Sequence, residues 1–245
     1  MKIDSHQHFW RYAPGEYPWM SAEMDALRRD FLPWDLQREL AKIDFEGSIA
    51  VQARQKLSET AWLLELSDRH SFIKGVVGWV DLCSLEAEEQ LEKFASHPKL
   101  LGVRHVLHDE PDDQFMLHPD FRRGISLLER FDLTYDLLLF PRHLRHAVRL
   151  VGEFEKQPFV LDHIGKPLIR NGSLSPWRED LRRLAEFPNV FCKVSGMVTE
   201  AEWSSWKPKD FRPYLNTVFE CFGEDRVMIG SDWPVCLRSE EHTSE

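Results

Sequence analysis

Cysteine is scarce in this 245-residue chain, and its four copies, Cys83, Cys192, Cys221 and Cys236, form no Cys-x-x-Cys pair. Widely spaced cysteines of this kind read as reduced, mostly buried thiols of a cytoplasmic protein, not as a disulfide framework. Positive charge is also short. With 31 Lys and Arg against 41 Asp and Glu, the net charge of −10 argues against nucleic-acid or anionic-membrane partners, which require a basic footprint. No apolar run is long enough to span a bilayer, and no basic-plus-apolar leader precedes the first apolar stretch, so neither a membrane span nor secretion is expected.

What is present is ordinary in bulk and ordered in detail. Hydrophobic residues at 42% and charged residues at 29% describe a globular chain, long enough for one large α/β domain. Strand-like and helix-like segments alternate along it. Lys2 to Trp10, Gly47 to Ala53, Lys74 to Asp81, Leu100 to Val106, Leu133 to Phe140, Pro158 to Gly165, Val190 to Gly196 and Arg226 to Trp233 are eight short β-rich runs. Seven of them are followed by helical periodicity, as with Leu36, Leu40 and Ile43 or Trp62, Leu63 and Leu66.

Eight such repeats predict a parallel (β/α)8 barrel. The alternative, an open doubly wound sheet, would be expected to show a Gly-rich phosphate turn after its first strand, and none occurs. The domain is expected to span residues 1–237. Residues 238–245 are polar without periodicity and read as a non-native or truncated tail, which would leave the seam between the eighth and first strands without its helix.

In a barrel, chemistry gathers at the carboxyl ends of the strands. This chain ends strand after strand in groups that are costly to bury unpaired: His6 and His8, Gln52, Asp81, Arg104 and His105, Asp136, Asp162 and His163, Lys193 and Ser195, Ser231 and Asp232. His6 and His8 are two apart, so a strand presents both imidazoles on one face. An isolated His-x-His is more often a pair of hydrogen-bonded surface histidines, but eight polar strand ends converging on one mouth argue for a site. Lys193 inside an apolar strand requires a partner or a shifted pKa. Alternation sends Asp162 to the face opposite His163, as a structural partner. His143 and His146, on an outer helix, read as solvated, as do His70, His97, His108, His118 and His242. The loop tryptophans Trp10, Trp19, Trp203 and Trp206 are candidates to wall a pocket.

His6-x-His8 on the first strand, Asp162-His163-Ile164-Gly165-Lys166-Pro167 on the sixth and Gly230-Ser231-Asp232-Trp233-Pro234 on the eighth resemble the amidohydrolase superfamily. The runs Gly75 to Leu82 and Gly102 to His105 are similar to its amidohydrolase-2 branch, which holds sugar-acid lactonases. The resemblance runs from residue 2 to about 236.

It implies a cytoplasmic hydrolase opening a small sugar-acid lactone of the L-fucono- or L-rhamnonolactone type, with Asp232 as general base and His163, with His105 or Arg104, at the oxyanion. Arg104, Asp136, Lys193, Trp79 and Gln52 would hold the sugar. His6, His8, His163 and Asp232 would hold one divalent ion, zinc by ligand type, although a lactone is activated enough to open without one. The fifth strand offers Asp136 and no histidine, so a binuclear centre is not expected. The alternatives are a metal-dependent decarboxylase of a small unsaturated or aromatic acid, which would need a further middle-strand histidine, and an inactive truncated relative. A homo-oligomer is compatible with all three.

Overall fold

A computed structural model describes residues 1–239. The strands are β1 (Ile3–Gln7), β2 (Gly47–Val51), β3 (Ile73–Gly78), β4 (Leu100–His105), β5 (Thr134–Leu137), β6 (Phe159–Leu161), β7 (Val190–Val194) and β8 (Val227–Ile229). Between them run α1 (Pro33–Lys42), α2 (Leu57–Arg69), α3 (Ala87–Ala95), α4 (Pro119–Leu128), α5 (Leu144–Glu153), α6 (Trp177–Ala185) and α7 (Pro208–Phe222). The strands pair in sequence order and in parallel, so the expected (β/α)8 barrel is the observed one. Helices α1, α4 and α7 each start on a proline, whose missing N–H costs nothing in a first turn. No helix among the described residues is long and apolar enough to cross a membrane.

The strands are shorter than the apolar runs that announce them, most of all β6 and β8 at three residues each. Both stop because the backbone turns left-handed just beyond: His163, Ile164 and Lys166 after β6, and Asp232 after β8, all have φ between +48° and +59°. Side chains past those points do not follow the strand's alternation. His163 therefore turns to the interior, the same face that alternation from Val160, paired with inward Asp136, already gives Asp162, which lies fully buried beneath the site.

The ring closes between β8 and β1 at its carboxyl end. His8 N–H donates to the Trp233 carbonyl (2.7 Å) and Asp232 N–H to the His6 carbonyl (2.8 Å). The buried Asp4 carboxylate accepts from Ser231 N–H (2.8 Å), Ser231 Oγ (2.6 Å) and His6 N–H (3.1 Å). Outside this seam an open groove of about 990 Å³ separates α1 from β8, lined by Leu36, Leu40, Ile43, Phe45, Ile229 and Trp233. After β8 the described residues contain one short 3₁₀ turn, Val235–Ser239. Residues 240–245 of the expected tail lie outside the described residues.

Asp4 is the seam's lock, since three donors end on one carboxylate. Asp4→Ala should destabilise the fold by roughly 2–4 kcal/mol, the cost of leaving several buried donors unsatisfied. Urea unfolding measures this; a loss under about 1 kcal/mol would show that the seam is held elsewhere.

Candidate active site

His6 of β1 and His8, one residue past its end, point into the barrel together, with their Nε2 atoms 3.2 Å apart. Each is steered from behind. His8 Nδ1 bonds to the Val51 carbonyl (2.8 Å), which can only accept, so that nitrogen carries the proton and Nε2 offers a lone pair. His6 Nδ1 faces Asp162 Oδ1 at 3.2 Å, which favours the same tautomer. Asp232 completes the cluster: its Oδ1 lies 3.4 Å from His8 Nε2 and 3.8 Å from the Nε2 atoms of both His6 and His163. His163 is held through Nδ1 by Ser195 Oγ at 2.9 Å. Gly196, itself at positive φ, leaves room for that ring, because a Cβ there would sit 2.6 Å from His163 Nδ1.

Below these rings lies a sealed group of four charges from four consecutive strands. Arg104 Nη1 donates to Asp162 Oδ2 (2.9 Å) and Nη2 to the Gln52 carbonyl (2.5 Å). The Lys193 ammonium bonds Asp136 and lies 3.1 Å from Asp162 Oδ1. Burial would raise the Asp162 pKa, but Lys193, His6 and Arg104 outweigh it and hold the carboxyl well below its ordinary range. For Asp136 burial wins against the same ammonium, and its pKa is pushed up to about 6. Burial alone would discharge Lys193; the two carboxylates reverse that and raise its pKa.

Burial also drives His6 and His163 well below the usual imidazole value, with Asp162 opposing at His6 and Asp232 at His163. At Asp232 burial pulls upward, and the imidazoles of His163 and His8 together with Lys166 carry the pKa down. A carboxylate beside the neutral imidazoles of His6 and His163 is therefore the expected state near neutral pH.

Above the rings opens a cavity of about 310 Å³. Its apolar wall includes Trp10, Trp19, Met24, Leu138 and Phe140; its polar lining includes Arg104, His108, Asp109, Lys166, Glu200 and Asp232. Of the candidates named from the sequence, His8, Arg104, His163 and Asp232 reach this cavity, and His6 stands directly behind them. Asp136, Lys193 and Gln52 do not line it, because their side chains are spent in the charge cluster and in holding Arg104. His105 and Trp79 face the other side of the wall. Since Arg104 points inward, its neighbour His105 points out, where it takes Glu110 (2.6 Å), stacks on Phe115 and meets Trp79 Nε1 (3.4 Å).

Trp10 and Trp19 wall the cavity as expected, while Trp203 and Trp206 lie elsewhere. His143 and His146 are buried and not solvated; His143 ties Asp113 to the N–H of Phe140. His108 is likewise no solvated residue, since it stacks on Phe140 and lines the cavity. Lys166, Glu200 and His108 were missed as site residues. For Lys166 the signal was present, two residues past Ile164 in a quoted motif; His108 and Glu200 sit in loops that periodicity cannot place.

The donors suit a divalent ion. Tetrahedral bonds of about 2.0–2.1 Å place ligand atoms about 3.3 Å apart, close to the 3.2, 3.4 and 3.8 Å between His6 Nε2, His8 Nε2 and Asp232 Oδ1. Two lone pairs facing at 3.2 Å call for a cation between them, and Arg104 Nη1, 3.3 Å from His6 Nε2, supplies only part of that charge. A second grouping, His6, Asp162 and His163, suits an ion less well, because Asp162 is already surrounded by Arg104 and Lys193.

Comparison with known proteins agrees with this geometry. The amidohydrolase family model matches residues 3–245. An L-fucono-1,5-lactonase of Burkholderia multivorans is 42% identical over 97% of this chain and 83% of its own length, and one of Burkholderia ambifaria is 38% identical over 96% and 80%. A crystal structure of an amidohydrolase from Burkholderia multivorans with bound zinc superposes with a TM-score of 0.93 at 43% identity, covering 97% of this chain and 86% of that one.

His108 gives the site a pH signature, because burial takes its pKa down to about 2. The native imidazole stays neutral while the unfolded one protonates below about pH 6.5, so this residue costs the metal-free protein about 1.4 kcal/mol per pH unit as pH falls from there toward 2. Urea unfolding at pH 7.5 and 5.0 should show His108→Phe losing about 2 kcal/mol less than the parent between the two; equal losses would place a proton on native His108.

Proposed function

The chain belongs to the amidohydrolase family, and from that premise we propose that it is a lactone hydrolase, acting on a sugar-acid lactone of the L-fuconolactone kind. The observation that carries the reading is the convergence of three imidazole Nε2 atoms on Asp232 Oδ1 at the floor of a cavity large enough for one sugar ring. The similarity to two L-fucono-1,5-lactonases along nearly the whole chain supports the substrate class.

In this reading Asp232 is the base. It is held ionised and desolvated, and takes a proton from a water as the water oxygen attacks the lactone carbonyl carbon. Arg104 lines the cavity with its buried Nε donor unpartnered among the described residues, suited to the oxygen on which negative charge develops. His105 lies outside the cavity, so that role falls to Arg104 and His163. When the Ser195 hydroxyl donates to Nδ1, His163 Nε2 carries the proton and faces Asp232. Collapse of the tetrahedral carbon breaks the ring C–O bond, the ring oxygen takes the proton held at Asp232, and one water has been added to give a hydroxy acid. His6, His8 and Asp232, with His163 alongside, would hold a divalent ion, which when bound supplies Lewis-acid polarisation of the carbonyl.

A pH-indicator assay over a panel of aldonolactones should show acid release, and Asp232→Asn should lower kcat by about three orders of magnitude or more. Unchanged turnover in that variant would remove Asp232 from the base role. Equilibrium dialysis against zinc should find one ion per chain, with His8→Ala weakening its affinity at least about 100-fold; an undiminished affinity would move the ion away from β1.

A further inference from the structure

The charged groups of the cavity are already committed to one another. Two cations line it, Arg104 and Lys166, against three carboxylates, Asp109, Glu200 and Asp232. Arg104 spends both terminal nitrogens below the floor, on Asp162 and on the Gln52 carbonyl, and so leaves the cavity without the two-pronged edge that grips a carboxylate. The Lys166 Nζ lies 3.3 Å from Glu200 Oε1, both side chains largely buried, with the Phe140 ring 5.5 Å from the ammonium. Thr199 Oγ1 also donates to Glu200 Oε1 at 3.2 Å. The histidines add little positive charge, since burial keeps His108 and His163 neutral.

An ammonium beside a carboxylate is a poor receptor for an anion and a good one for hydroxyl groups. A hydroxyl accepts from the one and donates to the other without either losing its counter-charge. The turn that carries Lys166 is built at some cost, with Lys166 itself at φ +48° directly after Ile164 at +51° and Gly165 at +72°. The turn sets where the Lys166 side chain starts, and its contacts with Glu200 and the Phe140 ring hold its ammonium.

We propose that the cavity accepts an uncharged lactone ring and refuses one bearing a carboxylate, and that the Lys166–Glu200 pair sets this choice by reading hydroxyls while denying Lys166 to an anion. The inference rests on the lactone-hydrolase reading for its substrate class, but the charge preference follows from the lining alone. A divalent ion held by His6, His8 and Asp232 would add positive charge at the floor without releasing Lys166 from Glu200.

The test uses two probes of one ring configuration, a hexono-1,4-lactone with an exocyclic hydroxymethyl end and the hexaro-1,4-lactone in which that end is a carboxylate, each assayed with chelator and with added zinc. The parent protein should favour the neutral ring by at least about 100-fold in kcat/KM. Glu200→Gln should shrink that preference at least about tenfold, through a lower KM for the charged lactone, and the double variant Lys166→Met with Glu200→Gln should restore it. Equal use of both rings by the parent, no change in Glu200→Gln, or a gain that survives in the double variant would each overturn the proposal. If the parent hydrolyses neither ring, the hydrolase reading falls, and calorimetric binding of the same two lactones to parent and Glu200→Gln decides the charge preference. The same order in affinity sustains it; equal binding, or none of either ring, overturns it.

Discussion

Two carboxylates and two cations are sealed together under the floor of this barrel, and the site stands on them. Arg104, Asp136 and Lys193 come from β4, β5 and β7 and Asp162 from the residue just after β6, and all four are buried. Any one alone would be expelled or neutralised. Together they balance in charge, and removal of one would strand an uncompensated ion at a cost of about 3–5 kcal/mol. Such a cluster is weak as a source of stability and strong as a source of position. It clamps Arg104 by both terminal nitrogens, and it presents Asp162 to the back of His6, which turns the other nitrogen of that ring toward Asp232.

The cluster also explains how much of the site was legible. The barrel was readable because each strand and helix writes its own period, and His6 and His8 were readable because the alternation of β1 carries one residue past its end at Gln7. Polar residues at strand ends were correctly expected to gather. What the pattern could not supply was depth. Gln52, Asp136 and Lys193 satisfy the same description as Arg104, yet they lie one layer further down, where they meet each other before any ligand. His105 was misplaced by its neighbour: once Arg104 turns inward, alternation sends His105 among Glu110, Phe115 and Trp79.

Asp162 was misread for a different reason. Alternation holds only while the chain is extended, and β6 ends at Leu161. The left-handed turn at His163 brings its ring to the interior face that the register already gives Asp162, so that one lies below the rings and one among them. Nothing in a single sequence announces a β-branched residue such as Ile164 at φ +51°, because that conformation is disfavoured for it and persists only where the surroundings impose it.

That imposed turn ties the floor to the mouth. Asp162 enters the charge cluster, His163 faces Asp232, and Lys166 reaches Glu200 across the cavity, all within five residues. Strain of about 1–3 kcal/mol per left-handed residue has to be offset by contacts made at both levels. The ion pairs beneath and the Trp177 indole, which donates to the Ile164 carbonyl at 2.7 Å, are placed to do so. Asp232 repeats the device after β8, at φ +59°, with its own N–H anchored to β1. Asp232, His163 and Lys166 are therefore not three side chains free to adjust in turn. They are carried on two bent strand ends, and a change that relaxed either bend would move the chemistry and the entrance together.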